Sequence, residues 1–190
     1  MAEELSLSDL KVGTTIGIKG DPWIITAAEF MKKSKTRPVV RTTIRNLRTG
    51  QVQEQTFQQG DIIKAAEVEK VKAQYLFRNQ SAATFMQADT FEQHSIPLTN
   101  IEHALPWLRE GQEVTLIVHE GNPVSVELPP HIEVKVTSAP PGVRGDSATN
   151  VMKEIVIDTG AKIKAPLFIK EGDTILVDTR TGKYVERANK

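Results

Sequence analysis

Four cations fall within six residues, at Lys32, Lys33, Lys35 and Arg37. The stretch that holds them, Glu29 to Pro38, lies between two strand-like runs, Trp23 to Ala28 and Val39 to Leu47, and Arg41 follows on the second run. A core has no use for charge at this density. A tight hairpin needs only a polar turn with Gly or Asn, and this stretch has neither. Like charges so close repel one another, so the tip stays extended unless something anionic receives it. The chemistry on offer is a grip on RNA phosphates, with the rest of the chain as the holder that carries the tip there. Taken alone, the same run also reads as an ordinary solvated loop.

No other group of residues has a spacing that points to catalysis. The histidines His94, His103, His119 and His131 stand far apart, and none has a metal-ligand spacing such as His-Glu-x-x-His. There is no phosphate-binding Gly-rich loop and no Gly-x-Ser-x-Gly elbow. The chain has no cysteine, so it has neither a disulfide frame nor a thiolate zinc site. We therefore expect no enzyme site, no metal and no cofactor. Trp23, Tyr75, Phe77 and Trp107 read as core residues rather than stacking platforms.

The chain has 190 residues, of which 39% are hydrophobic, which suits several small barrels better than one large core. The net charge is zero but unevenly spread. Residues 1–64 carry 10 Lys/Arg and 7 Asp/Glu, residues 65–128 carry 4 and 9, and residues 129–190 carry 10 and 8. A non-specific nucleic-acid coat would be basic throughout. Mildly basic ends around an acidic middle suggest two contact points on an anionic partner. The acidic start, Met1 to Leu10, lacks an apolar signal segment, and no apolar run is long enough to span a bilayer. The expectation is a cytoplasmic monomer that does not engage membranes.

The elements that must position the tip are strands. After a start expected to be disordered, Leu10 to Ile18, Trp23 to Phe30, Val39 to Leu47 and Gln51 to Phe57 read as strands. Turns fall at Lys19-Gly20-Asp21-Pro22, Arg48-Thr49-Gly50 and Gln59-Gly60-Asp61. Val52 and Phe57 are expected to anchor the last of these strands. A second group runs from Ala65 to Phe77 and Ala83 to Met86, with a hairpin from Val114 to Leu128 across Glu120-Gly121-Asn122. Thr99-Asn100-Ile101-Glu102 fits a capping box and predicts a short helix ended by Pro106, with Trp107 and Leu108 as a plug. After Pro129-Pro130, a third group comprises His131 to Val136, Glu154 to Ile157, Ala161 to Lys164, Leu167 to Ile169, Thr174 to Val177 and Lys183 to Arg187. The reading is an all-β chain of three small β-barrel modules, 1–64, 65–128 and 129–190, the last two with the OB-fold pattern. The two OB-like modules show no clean sequence repeat.

Several motifs in order resemble bacterial elongation factor P. They are Pro141-Gly142-Val143-Arg144-Gly145-Asp146-Ser147, the run Thr159 to Ile169, Glu171-Gly172-Asp173 and the ending Asp178 to Arg187. Glu29-Phe30, Arg48-Thr49-Gly50, Tyr75-Leu76-Phe77, Phe85-Met86 and Phe91-Glu92-Gln93 agree. The resemblance covers nearly the whole chain. It implies an SH3-like (KOW-like) barrel followed by two OB barrels in an L-shaped arrangement.

The resemblance also implies an activity. The family binds the ribosome between the peptidyl and exit sites and relieves stalling at consecutive prolines by positioning peptidyl-tRNA. Its implied partners are the ribosome and its rRNA, peptidyl-tRNA, mRNA at the exit-site codon and a lysine-modifying enzyme. Carried over residue by residue, the tip lysine is Lys35, supported by Lys33, Lys32 and Arg37, and Lys35 is the position that relatives modify. Here the tip reads Lys33-Ser34-Lys35-Thr36 where the family usually has Pro-Gly-Lys-Gly, which leaves the modifying enzyme open. Gly145-Asp146-Ser147 matches the mRNA-reading loop, with serine for the usual threonine but the hydroxyl kept. Tyr184 and Arg187 match residues that touch the small subunit or RNA. Two other readings stay open: a paralogue with altered stalling-motif preference, and a general OB-fold RNA-binding protein.

Overall fold

The computed structural model describes residues 3–31, 37–141 and 152–188. They fold into three antiparallel sheets joined by turns and 3-10 helical turns, with no α-helix among the described residues. Nor is any described helix long and apolar enough to cross a membrane. The chain packs as two compact units. One comprises residues 1–102 with 113–127, and the other residues 103–112 with 128–190.

In the first unit, β1 (Glu4–Leu5), β2 (Thr15–Ile18), β3 (Asp21–Met31), β4 (Val39–Asn46), β5 (Val52–Gln58) and β6 (Ile63–Ala65) form one sheet, ordered β1-β6-β2-β3-β4-β5. Its core is Leu10, Ile16, Trp23, Ile25, Val40, Ile44, Phe57 and Ile63. The β2–β3 turn is a two-residue loop, with Lys19 and Gly20 both at positive φ (54° and 88°), the conformation a primed hairpin turn requires. Residues 4–9 take up regular structure, where the sequence reading expected disorder. Glu4 and Leu5 pair with Lys64 and Ile63, and the hydroxyl and then the backbone N–H of Ser6 donate to the Asp9 carboxylate and hold that acid below its ordinary pKa. Val52 is exposed rather than an anchor.

The same unit holds a second sheet. β7 (Glu69–Arg78), β8 (Ala82–Gln87), β9 (Gln93–Pro97), β10 (Glu113–His119) and β11 (Asn122–Glu127) are ordered β11-β10-β7-β8-β9. Tyr75 packs on Phe85 at a ring-centroid distance of 5.5 Å. Phe77, expected in the core, is exposed, because the register shifts between Tyr75 and Phe77. The helix expected from Thr99 does not form. The segment makes two 3-10 turns, Leu98–Asn100 and Leu105–Trp107. Thr99 Oγ1 donates to Asn100 Oδ1, and buried Asn100 donates to the carbonyl of Val124. The partner of Asn100 stands across the fold, and bonds of this kind replace the helical ladder.

The second unit contains β12 (His131–Ser138), β13 (Met152–Ile157), β14 (Lys162–Pro166), β15 (Thr174–Asp178) and β16 (Lys183–Arg187), ordered β14-β13-β12-β15-β16. Counted within each sheet, this is the same strand order as in the second sheet. In both, the third strand approaches the fifth, β9 with β11 and β14 with β16, and so curls the sheet toward a barrel. Leu167 to Ile169, expected as a strand, is a turn. The N–H of Ile169 bonds the carbonyl of Pro166 at 3.1 Å and drops the side chain into the core. Trp107 lies in this same core, among Ile132, Val134, Ile155 and Val177. Its segment is tied down by Thr159, whose hydroxyl donates to the carbonyl of Pro106 at 2.6 Å, and by Arg109, which pairs with Asp158 at 3.1 Å.

Candidate functional site

The β3–β4 hairpin is what carries the basic tip. β3 pairs with β2 only from Asp21 to Ile24, whereas its pairing with β4 continues to Met31↔Val39. β4 keeps β5 beside it along the same length, from Arg45↔Val52 to Val39↔Gln58. The end of the sheet is therefore three strands wide and runs past the first-unit core. Residues 32–38 close it. At the base, the N–H of Gln59 bonds the carbonyl of Pro38 at 3.3 Å.

A bulge at Thr26 sets which side chains point where. The register steps from Ile25↔Ile44 to Ala27↔Thr43, and Thr26 donates its hydroxyl to the carbonyl of Thr43 at 3.1 Å. Before the bulge, odd-numbered residues of β3 face the core, as Trp23 and Ile25 do. After it, the parity reverses. Phe30 then shares a row with Val40 and Phe57, while Glu29 stands beside Arg41 on the opposite face. Arg41, Thr43 and Arg45 alternate along that outer face of β4. Arg41 is exposed. Arg45 is half-buried, its pKa is lowered by burial, and its Nε has no hydrogen-bond partner among the described residues.

Of the tip residues singled out from sequence, Arg37 is exposed at the loop's end. Lys32, Lys33 and Lys35 lie outside the described residues. So do Gly145, Asp146 and Ser147, which fall between Ser138, the last residue of β12, and Met152, the first of β13. Tyr184 and Arg187 both sit on β16. Tyr184 packs partly against the second-unit core, and burial raises its hydroxyl pKa. Arg187 pairs with buried Asp173 at 3.1 Å, and Asp173 in turn accepts from the N–H of Lys170 at 2.9 Å. Nearby, Asp178 is held far below the usual carboxylate range by hydrogen bonds from the Arg180 side chain and from the backbone of Arg180 and Thr181.

The other end of β4 is built differently. Asn46, almost fully buried, accepts from the N–H groups of Arg48 and Thr49 at 2.8 and 3.1 Å. Arg48 then reaches Glu120 at 2.8 Å and His119 Nδ1 at 3.2 Å on the β10–β11 turn. Leu47 is buried with Ile117 and Val124. Gly50 has φ +74°, and a Cβ there would fall 2.0 Å from the carbonyl oxygen of Thr99. The Arg48-Thr49-Gly50 motif is thus a joint between the two sheets of the first unit. The sequence reading also missed the Thr26 bulge and the exposed placement of Phe30. The only trace of either is that apolar alternation breaks down over Thr26 to Met31.

The described residues include no group of acids and histidines able to hold a metal ion. What the hairpin end offers is cationic side chains on a backbone anchored on one side, suited to phosphate contact rather than bond-making.

Comparison with known proteins finds matches along nearly the whole chain. Residues 6–63 match the family model described as the elongation factor P KOW-like domain, residues 68–126 the elongation factor P OB domain, and residues 132–187 the elongation factor P C-terminal domain. The elongation factor P of Moorella thermoacetica is 40% identical over 186 residues, spanning 97% of this chain and 100% of that protein. Among solved structures, eukaryotic translation initiation factor 5A from Methanococcus jannaschii aligns at 20% identity and TM-score 0.47, over 64% of this chain and 90% of that one. A translation initiation factor of the same family from Naegleria fowleri aligns at 18% identity and TM-score 0.39, over 67% and 99%.

Proposed function

The chain belongs to the elongation factor P family, and on that premise we propose that it binds the ribosome between the peptidyl and exit sites and speeds peptide bond formation at consecutive prolines. It is a translation factor and not an enzyme. The factor works in the cytoplasm by positioning. Proline's ring fixes φ and constrains the nascent chain, so reactants held in an attack geometry gain most from losing unproductive freedom. No acid, base or nucleophile of the factor is needed.

In this reading the loop closing the β3–β4 hairpin meets the acceptor end of peptidyl-tRNA. Lys35 is the main contact and the candidate for modification by a partner enzyme, with Lys32, Lys33 and Arg37 gripping phosphates around it. Gly145, Asp146 and Ser147 meet the mRNA at the exit-site codon. Tyr184 and Arg187 meet the small subunit or its rRNA. Arg187 keeps free donors for this after its pairing with Asp173, because a guanidinium carries five N–H groups. The observation that carries the proposal is the run of three family matches in order along the chain, combined with a hairpin that outruns its core and ends in four cations.

The test is translation of a message with consecutive proline codons, with and without the purified factor. Relief of the pause by the wild-type chain is expected, together with its loss in Lys35→Ala but not in Lys33→Ala. Equal activity in both variants removes the assignment of Lys35, and no relief by the wild-type chain removes the function. Ser34 and Thr36, standing where glycines are usual, favour a second reading in which the factor answers to a different set of stalling motifs. Profiling of ribosome pauses in cells lacking the protein separates the two.

A further inference from the structure

Tyr184 and Arg187 stand three residues apart on β16, a spacing that puts side chains on opposite faces of a regular strand. Here they share a face, because the strand bulges at Val185. The register runs Ile175↔Arg187 and Leu176↔Glu186, then steps to Val177↔Tyr184. Ile175 and Val177 both face the core, so the bulge brings the arginine round to the tyrosine's side. The guanidinium is then caught by Asp173, which is only 8% exposed and whose Oδ1 lies 3.1 Å from Nη2. Burial acts most strongly on the Tyr184 hydroxyl, and the charges of Glu186, Arg187 and Asp173 also reach it.

Asp173 has a second task, and the chain contains two copies of that task without the arginine. Its Oδ2 accepts from the N–H of Lys170 at 2.9 Å, its own N–H donates to the Lys170 carbonyl at 3.2 Å, and Gly172 has φ +87°. Gln58 to Asp61 repeats this turn at 2.8 and 3.1 Å around Gly60. Arg109 to Gln112 repeats it at 3.0 and 3.0 Å around Gly111, with an amide oxygen in place of the carboxylate. Asp61 is exposed, and Gln112 carries no charge. The turn therefore needs neither a buried acid nor a negative one. At Asp173 both features are present, and what they accompany is Arg187. The turn is also fixed to β12: the N–H of Val136 donates to the Asp173 carbonyl at 2.8 Å, and that of Gly172 donates to the Val136 carbonyl at 2.9 Å.

We propose that Asp173 is a positioning residue: its carboxylate fixes the Arg187 guanidinium beside Tyr184, with the remaining donors turned to an RNA phosphate. The idea rests on the ribosomal reading above, in which Tyr184 and Arg187 meet the small subunit or its rRNA, and adds a residue that touches no RNA itself. A free arginine samples many rotamers and loses that freedom on binding, whereas one already clamped loses less. A planar guanidinium suits this, because one edge can be held while the other donates. The clamp sets an acid close to a polyanion, so the gain in orientation must exceed the repulsion. The competing account is that the pair merely closes the end of the sheet.

The experiment uses the full chain and ribosomes stalled at consecutive prolines. Binding is measured across a salt series for wild type, Asp173→Asn, Arg187→Ala, the double variant, Arg187→Lys and Asp61→Asn, alongside thermal unfolding. Arg187→Ala is expected to bind about tenfold more weakly, with a salt slope shallower by roughly 0.7–0.9. Asp173→Asn keeps an oxygen for the turn, as Gln112 does, and should bind about fivefold more weakly. Charge alone predicts the reverse, since removing an acid near RNA favours binding. The double variant should bind no more weakly than Arg187→Ala, because the two residues act as one unit. Arg187→Lys keeps the charge, but an ammonium held on Asp173 has no second edge to offer, so it should fall close to Arg187→Ala. Asp61→Asn should bind as wild type does. Wild-type or tighter binding by Asp173→Asn overturns the proposal. So does a further loss in the double variant, or an equal weakening by Asp61→Asn. If Asp173→Asn does not fold, Arg187→Lys carries the test, and wild-type affinity there overturns the proposal. Unchanged binding by Arg187→Ala removes the Arg187 contact and the clamp with it. Failure of the wild-type chain to bind ribosomes removes the wider function, an outcome distinct from all of these.

Discussion

The two ends of β4 do opposite work. At its start, beyond Val40, the strand emerges from the core, its neighbours are exposed, and it hands over to a run of cations. At its finish, Asn46 and Leu47 are buried, and the turn that follows locks against the β10–β11 hairpin and Thr99. One strand of eight residues thus joins a part open to solvent to a part packed inside the first unit. Beyond the buried row of Val40 and Phe57, the first is held chiefly by backbone pairing, which tolerates a change of side chain. The second is held by side-chain fit, which does not.

That contrast can be attacked from either end. The largest effect is expected at Gly50, where positive φ and a backbone oxygen 2.0 Å from the missing Cβ both forbid a side chain. Gly50→Val should cost about 3 kcal/mol or more, read as a fall in the denaturation midpoint. Leu47→Ala should cost about 2–4 kcal/mol through the cavity left against Ile117 and Val124, measured in the same way. Lys35→Ala should leave stability within about 0.5 kcal/mol of wild type and yet abolish relief of proline pauses. A variant that loses both together would erase the distinction between the two ends. The smallest effect is expected at Arg48. Its pairs with Glu120 and Asp21 are substantially exposed, so Arg48→Ala should cost under about 1 kcal/mol. That difference should shrink further as salt is added.

Strand positions were largely legible because turn chemistry marks them. Lys19-Gly20 and Glu120-Gly121 adopt positive φ at both residues, and each sets the register of its hairpin. The predicted helix failed for a physical reason. A capping box is a local signal, and the polar groups of Asn100 found tertiary partners in Val124 and Ser125 that no local window contains. The Thr26 bulge left almost no trace, since a threonine in a bulge looks like a threonine in a strand. The start of the chain looked too polar to fold, but Glu4 and Leu5 are held by backbone pairing, to which side-chain composition is nearly blind. The shared strand order of the second and third sheets was likewise hidden. Apolar alternation fixes which face of a strand is buried but not which strand lies beside it. Of the candidate site, the cationic run and its hairpin could be read directly from residue types. The direction in which Phe30 points could not.

Trp107 has a consequence for how the protein is made. The indole belongs to a core whose remaining members begin at Ile132 and end at Val177, about seventy residues further along the chain. Synthesis runs in one direction at roughly 5–20 residues per second. For several seconds after it is translated, a large apolar side chain therefore has no native surroundings at all. During that interval the growing polypeptide must keep a greasy hook in water, and the last third of the message decides whether it is ever buried.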